Sequence, residues 1–341
     1  MEWTSCGKVL VTGGASFIGS HLVEKLVERG ADVRVADNLS SGKLENLDAV
    51  RDRIEFMQGD LKHFDFATDA SSGCNVVFHL AADHGGRGYI ASHPADCATN
   101  MALDNIVFET ARRNAVERIT FASSACVYPT HLQQKDKIRL REDMVSFDEP
   151  GKAFADECYG WAKLMGEMSL KAIHRQYGVK TASVRIFTAY GPRENETHAI
   201  VALIAKAFIR QSPFEVWGDG EQTRNFTYVQ DTVAGLIAAC EHIEDGTAVN
   251  AGIEDFISIN EACEEVFGQM DWRPPDGIKY QTDKPVGVKH RAADASFALQ
   301  RTGWRPSYTF EQGLRQTIDW YTSTHTEEKV AENLGLLLTQ R

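Results

Sequence analysis

A doubly wound α/β fold, with a parallel sheet covered by helices on both faces and a smaller C-terminal domain, is what this sequence predicts. Three observations carry that expectation. Short apolar runs alternate with amphipathic stretches from Lys8 onward, the pattern of βαβ units rather than of hairpins. The first run leads into a glycine-rich turn, Thr12-Gly13-Gly14-Ala15-Ser16-Phe17-Ile18-Gly19, that opens a helix. After Phe187 the alternation decays and Gly191-Pro192, Gly218-Asp219-Gly220 and Pro274-Pro275 interrupt the chain, as a smaller, less regular unit requires.

Taken in order, residues 8–12 read as a buried strand, 17–29 as a helix and 32–36 as the next strand, closing at Asp37. Further strands are expected at 54–57, 75–80, 118–123 and 180–187, with helices near 100–114 and 159–177. These make at least two βαβ halves, the arrangement of a Rossmann sheet. A strand-like run at 247–252 is placed to return to the main sheet. The expected division is therefore discontinuous: 1–187 and about 225–252 bind a dinucleotide, 188–224 and 253–341 bind the substrate. The last stretch, 327–341, reads as a surface helix or tail.

A chain of 341 residues, 43% hydrophobic and 25% charged, has the composition of a soluble globular protein and enough length to bury a core without disulfide or metal staples. Its 48 acidic residues against 36 basic ones give a formal charge of −12, so nucleic acid and anionic membrane surfaces are unfavourable partners. With neither a basic-then-apolar leader nor a bilayer-length apolar run, a cytoplasmic location is expected. The seven cysteines are scattered without C-x-x-C spacing, which disfavours a disulfide framework and predicts no metal site.

The turn between the first strand and helix can hold a pyrophosphate on free N–H groups at the positive end of the helix dipole. Gly13 allows the tight turn and Gly19 the close packing of helix on strand, with Phe17 and Ile18 between them; the middle position, where backbone approaches phosphate, is Ser16 rather than glycine. Asp37 stands 18 residues beyond Gly19, where a carboxylate binds the adenosine ribose hydroxyls and repels a 2′-phosphate. NAD is therefore favoured over NADP. Asn38 follows Asp37; Asp60, in Gly59-Asp60-Leu61, is placed to touch adenine or to cap a helix.

The chemical constellation is Ser123-Ser124 at a strand end with Tyr159-Gly160-Trp161-Ala162-Lys163 opening a helix. Tyr159 and Lys163, four apart, share a helix face. An ammonium beside a phenol lowers its pKa toward neutrality, so that Tyr159 exchanges a proton as hydride moves at a carbinol carbon, with Ser124 completing the hydrogen bonds.

With these residues the chain resembles the extended short-chain dehydrogenase/reductase family of nucleotide-sugar enzymes, from Lys8 to about Tyr321. The resemblance rests on the Gly13–Gly19 turn, Ala81-Ala82, Asn100, Ser124, Tyr159, Lys163, Tyr190-Gly191-Pro192-Arg193 and the run from Gly218 to Arg224. It implies bound NAD, contacts from Ala81 and Ala82, a nucleoside-diphosphate sugar and a homodimer. Within it the chain is most similar to the GDP-mannose 3,5-epimerases, through the run from Ala81 to Ile90, Ser123-Ser124-Ala125-Cys126-Val127-Tyr128-Pro129 and Val216-Trp217-Gly218-Asp219-Gly220. Such enzymes oxidise C4 to a ketone that acidifies C3 and C5, then invert those centres with a cysteine and a lysine. The cysteine falls on Cys126; the lysine position holds His198. Cys126 is thus an acid/base or a small core residue, and His198 a proton shuttle, a ligand for substrate hydroxyls or a helix cap. Lys206, Gln222, Arg224 and Arg291 are the expected diphosphate and substrate contacts, Arg224 having the domain interface as its other role; Gly86 is an expected substrate contact, and Arg87 either approaches the sugar or is a solvent-exposed loop charge. A UDP-sugar 4-epimerase, another isomerase of the family and a dinucleotide-sensing scaffold are the competing expectations. A 4,6-dehydratase fits less well, because Ala125-Cys126 follow Ser124 where those enzymes carry Asp-Glu.

Overall fold

The computed structural model describes residues 1–338; positions 339–341 of the expected second domain and tail lie outside the described residues. Seven parallel strands form the main sheet: β1 (Lys8–Thr12), β2 (Asp32–Asp37), β3 (Ile54–Gln58), β4 (Cys74–His79), β5 (Arg118–Ser124), β6 (Lys180–Ile186) and β7 (Asp245–Ala251). Their spatial order is β7-β6-β5-β4-β1-β2-β3. The chain winds outward from β1 to β3, then crosses back to place β4 on the other side of β1. A crevice opens at the carboxyl ends where the order reverses, and ligands bind in such crevices.

Both faces of β1 are apolar because both are covered. Val9 and Val11 pack into one cluster with Leu22, Val23 and Leu26 of α1 (Phe17–Glu28) and with Leu236 and Ile237 of a helix at Val229–His242. Leu10, on the opposite face, joins Ala67 and Ala70 of α2 (Phe64–Ser71), Val107 and Phe108 of α3 (Asn100–Arg113) and Leu170 of α4 (Glu157–Tyr177). The run expected at 247–252 does return to the sheet, as β7 against β6. The helix expected from residue 159 begins two residues earlier, at Glu157, which puts Tyr159 in its first turn.

Beyond β6, apart from β7, the strands are short and lie outside the main sheet. Ala189–Tyr190 pairs with Thr227–Tyr228, Phe214–Trp217 with Ile278–Gln281 and Thr223–Arg224 with Ile257–Ser258. Helices α5 (Ala199–Phe208), α6 (the Val229–His242 helix), α7 (Ile259–Gln269) and α8 (Phe310–Thr324) pack around them through Leu203, Ile204, Val266, Leu314 and Ile318. A last helix, α9, spans Glu327–Leu337. No described helix is long and apolar enough to cross a membrane, and the seven cysteines are free.

One buried ion pair ties the site-bearing elements together. Arg185 on β6 donates to both carboxylate oxygens of Glu167 on α4, at 3.0 and 2.9 Å, while Ser123 donates to the same carboxylate at 2.5 Å. Removing one partner strands a charge in the core. Glu167→Ala is expected to cost about 3–5 kcal/mol, read as a lowered midpoint in urea unfolding; a loss below about 1 kcal/mol would show that water reaches Arg185.

Candidate active site

The turn after β1 is shaped by close approach. Gly13 has a left-handed backbone (φ 68°), and a Cβ there would lie 2.9 Å from the backbone of Ala81; only glycine lets the turn meet the end of β4. At Gly19 a Cβ would stand 2.1 Å from Gly13 O, so α1 can lie against the turn. Its N-terminus opens on a cleft of about 370 Å³ lined by Gly13, Ser16, Phe17, Ile18, Asp37, Asn38, Asp60, Leu61, Ala81 and Ala82 at one end and by Ser124, Tyr159 and Lys163 at the other. Gly19 stays behind the turn as packing.

Asp37 is buried at the end of β2 and accepts hydrogen bonds from Ala15 N and Leu39 N at 3.0 and 2.8 Å. Burial raises its carboxyl pKa while the two amides lower it. A ribose diol can share the remaining lone pairs; a phosphate cannot. NADP is therefore expected to bind about tenfold or more weakly than NAD in calorimetric titration, and equal affinities would remove Asp37 from that role. Asp60 Oδ1 accepts from Lys62 N at 2.9 Å, a local turn; α2 begins at Phe64 with His63 at its cap position, so Asp60 is not its cap.

Ser16 is folded back: its hydroxyl donates to Gly13 O at 2.5 Å. The serine is part of the turn rather than an obstacle to pyrophosphate. Ser16→Gly is thus expected to leave NAD affinity unchanged or to weaken it by about 1 kcal/mol, the worth of the lost bond; tighter binding in the same titration would show that the hydroxyl crowds the ligand.

At the other end, Ser124 caps the short turn Ala125–Val127, accepting from Cys126 N at 3.1 Å, and is hydrogen-bonded to Tyr159. Gly160 explains how α4 comes so near: a Cβ there would meet Cys126 O at 2.3 Å. Lys163 lies over the rings of Phe121 and Tyr159, 4.5 and 5.9 Å from their centres. This corrects one expectation. The ammonium stands over the ring and not at the hydroxyl, so burial dominates and pushes the Tyr159 phenol up, and Lys163 down.

Behind Lys163 lies a buried chain that sequence reasoning missed. Thr12 Oγ1 accepts from Leu80 N and Ala81 N, so its proton goes to His79 Nδ1 at 2.7 Å, and His79 Nε2–H donates to Asp104 Oδ1 at 3.0 Å. Asp104 thereby sits as a fixed acidic group near the ammonium. Asn100 pins the loop after β4, exchanging hydrogen bonds of 2.6 and 2.8 Å with the Asp83 backbone.

A second cavity of about 270 Å³ adjoins the first, and Cys126, Thr188, His198 and Arg291 line both. Its walls include Gly86, Arg87, Lys206, Gln222 and Arg224, with Trp217, Val286 and Leu338 as apolar surface. Arg291 Nη1 faces Cys126 Sγ at 3.5 Å and its Nη2 faces Asp156 at 3.4 Å. Arg87 also binds Asp156, at 3.1 and 3.2 Å, and is thus fastened rather than free in solvent. Arg224 donates to two carbonyls, Thr223 O and Val286 O, and burial beside Arg291 pushes it down to about 9. Lys206 donates to Glu215 O at 2.7 Å and Gln222 to Trp217 O at 2.8 Å, leaving Gln222 Oε1 unpartnered. In a protein of charge −12, four basic side chains, Arg87, Lys206, Arg224 and Arg291, line this cavity together with Asp156 and Glu196. Gly86 is a spacer: a Cβ would meet Thr197 O at 1.9 Å.

His198 is the cap residue of α5, yet its side chain does not cap it. The imidazole turns to Glu194, Nδ1 to Oε1 3.2 Å, with the His84 ring 5.5 Å away. Glu194 and His84 carried no assigned role in the sequence, because both lie in loops without periodicity.

Residues 9–252 match the description NAD dependent epimerase/dehydratase family. The chain belongs to this family. It is an enzyme, its cofactor is NAD, and the cleft fits that cofactor at the carboxylate, the turn and the Tyr159–Lys163 end. The chain is 31% identical to GDP-mannose 3,5-epimerase 1 of Oryza sativa subsp. japonica over 94% of its own length and 83% of the rice protein. It also superposes on the UDP-glucose 4-epimerase of Thermotoga maritima with UDP-glucose, TM-score 0.82, 27% identity, covering 93% of this chain and 99% of that one. A UDP-galactose 4-epimerase structure gives TM-score 0.75 and 30% identity over 93% and 99%.

Proposed function

We propose that the protein is a nucleotide-sugar epimerase working through a transient 4-ketone, with a GDP-hexose as substrate and inversion at C3, C5 or both. The observation that carries this reading is the place of Cys126 and His198: both line the junction of the cofactor cleft and the second cavity. A plain C4 inversion needs no acid and base there. Similarity to the rice GDP-mannose 3,5-epimerase supports the same choice.

In this reading residues 1–187 with about 225–252 hold NAD and the remainder holds the sugar nucleotide. NAD, when bound, is the hydride acceptor and donor at C4 and brings a positive charge to the site. Tyr159 takes the O4 proton, Ser124 orients that hydroxyl and Lys163 faces the ribose. Arg224, Arg291, Lys206 and Gln222 bind the diphosphate, Arg87, held by Asp156, lies against the sugar, and the apolar wall with Trp217 takes the base. The ketone makes the neighbouring C–H groups acidic enough for Cys126 and His198 to exchange them. The reading extends to a homodimer, the state the resemblance implies, and to a cytoplasmic location.

A UDP-sugar 4-epimerase is the second reading, supported by the superpositions on UDP-sugar 4-epimerases. Proton NMR of GDP-α-D-mannose and, separately, UDP-α-D-glucose in deuterated water with the purified enzyme separates the two. Deuterium at C3 or C5 of the GDP-sugar is expected. A C4 epimer of the UDP-sugar without such deuterium selects the second reading.

A further inference from the structure

We infer that Glu194 is the proton store behind His198: its carboxyl passes a proton to Nδ1 as Nε2 gives its own to the sugar carbon. The substrate side of this inference rests on the epimerase reading above; the pair itself rests on geometry. Glu194 Oε1 lies 3.2 Å from His198 Nδ1, and the glutamate side chain is only 3% exposed. Its other oxygen, Oε2, has no hydrogen-bond partner. Among the described residues His198 is its one ion-pair contact. An ionised carboxylate in that position would be poorly solvated, so the carboxyl retains a proton.

The neighbouring charges are already engaged. Arg193 is held by Glu24 at 2.6 Å. Glu196 accepts from Tyr321 Oη at 2.8 Å and faces His325 at 3.8 Å. The His84 and His198 rings stand 5.5 Å apart with their planes at 63°, and Cys126, Tyr159 and Arg291 lie on the rest of the wall. The loop is braced from both sides: Thr197 bonds the Asn195 side chain, and Gly86 N donates to Thr197 Oγ1 at 3.3 Å.

The pair answers a chemical need. Burial pushes His198 down to about 4 and the Glu194 carboxyl well up. Alone, His198 would be a neutral imidazole near pH 7, able to accept a proton but a poor donor. With Glu194 protonated, the imidazole keeps Nε2–H toward the cavity and accepts the carboxyl proton at Nδ1 when Nε2–H leaves. The step balances as follows. Cys126, as thiolate, removes a proton from C3 or C5, and the C–H electron pair enters the enolate of the ketone. That pair forms the new C–H bond with the Nε2 proton on the opposite ring face, and the Glu194 proton moves to Nδ1. Sulfur ends as thiol and Glu194 as carboxylate; exchange with water restores both. Glu194 acts only through His198, as a positioning residue that also holds the proton.

The test reads the imidazole directly. In wild-type holoenzyme, long-range ¹H–¹⁵N spectra over a pH range that starts in the ordinary carboxylate range and runs upward until the carboxyl has ionised should show His198 changing tautomer, from Nε2–H to Nδ1–H. The signal is assigned among the 11 histidines by its absence in His198→Gln. Glu194→Gln keeps size and hydrogen bonding but cannot release the proton, so one tautomer should persist across that range. A wild-type imidazole that holds one tautomer throughout, or a Gln variant that switches as wild type does, overturns the pair. With GDP-α-D-mannose in deuterated water, Glu194→Gln should slow exchange at C3 or C5 by about 10²-fold with KM little changed. An unchanged rate overturns the relay. Absence of wild-type exchange, with the tautomer switch present, counts against the GDP-hexose reading and leaves the pair standing.

Discussion

Replacing Tyr159 by phenylalanine is expected to leave NAD bound and to cut turnover by about 10²- to 10⁴-fold. The ring is buried against Ile90 and Cys97, and that packing survives the change. What disappears is the hydroxyl hydrogen-bonded to Ser124 at the end of the cleft. Burial holds this phenol above its ordinary pKa, so proton removal from O4 depends on positive charge reaching the site; without the hydroxyl there is no proton to tune. The measurement pairs NAD content after denaturation with turnover of the sugar nucleotide that wild type converts. Near-normal turnover in a fully loaded variant would falsify the assignment of proton transfer to Tyr159.

The second large effect is expected at Cys126. Cys126→Ala should suppress deuterium uptake at C3 or C5 by about 10²-fold or more, while hydride exchange at C4 continues. The reason is geometric: Sγ faces Arg291 Nη1 at 3.5 Å, so a fixed positive charge stands beside the sulfur, and the residue lies where both cavities meet. His198→Ala should give the same loss from the other side. Were both variants to exchange solvent hydrogen at the wild-type rate, the two residues would be pocket lining and the C4-epimerase reading would follow.

Much of the fold was legible because its signals are local. The expected strands at 8–12, 32–36, 54–57, 75–80, 118–123 and 180–187 correspond to β1 to β6 with ends shifted by a residue or so. Apolar residues on both faces of β1 announce a sheet covered on both sides. The Gly13–Gly19 turn and the spacing from Tyr159 to Lys163 were likewise visible, since each requires particular residues at neighbouring positions. The role given to Lys163 was not. Residue type and spacing place an ammonium on the same helix face as a phenol, but whether it meets the hydroxyl or the ring depends on how α4 packs on Phe121.

What the sequence by itself determined is the doubly wound sheet, the dinucleotide turn with its acidic partner Asp37, and the Ser124–Tyr159–Lys163 constellation. Only the tertiary structure brought Arg291 to Cys126, across 165 positions of chain, fastened Arg87 to Asp156, folded Ser16 into its own turn, and set Glu194 behind His198. The difference has one physical cause. Strands, helices and turns are selected by short-range sterics and by the period of burial, which a sequence displays directly. A pocket's ion pairs and proton partners depend on loops whose course is fixed by close backbone approaches elsewhere, such as Gly86 against Thr197 and Gly160 against Cys126, and no sequence period encodes where those loops will meet.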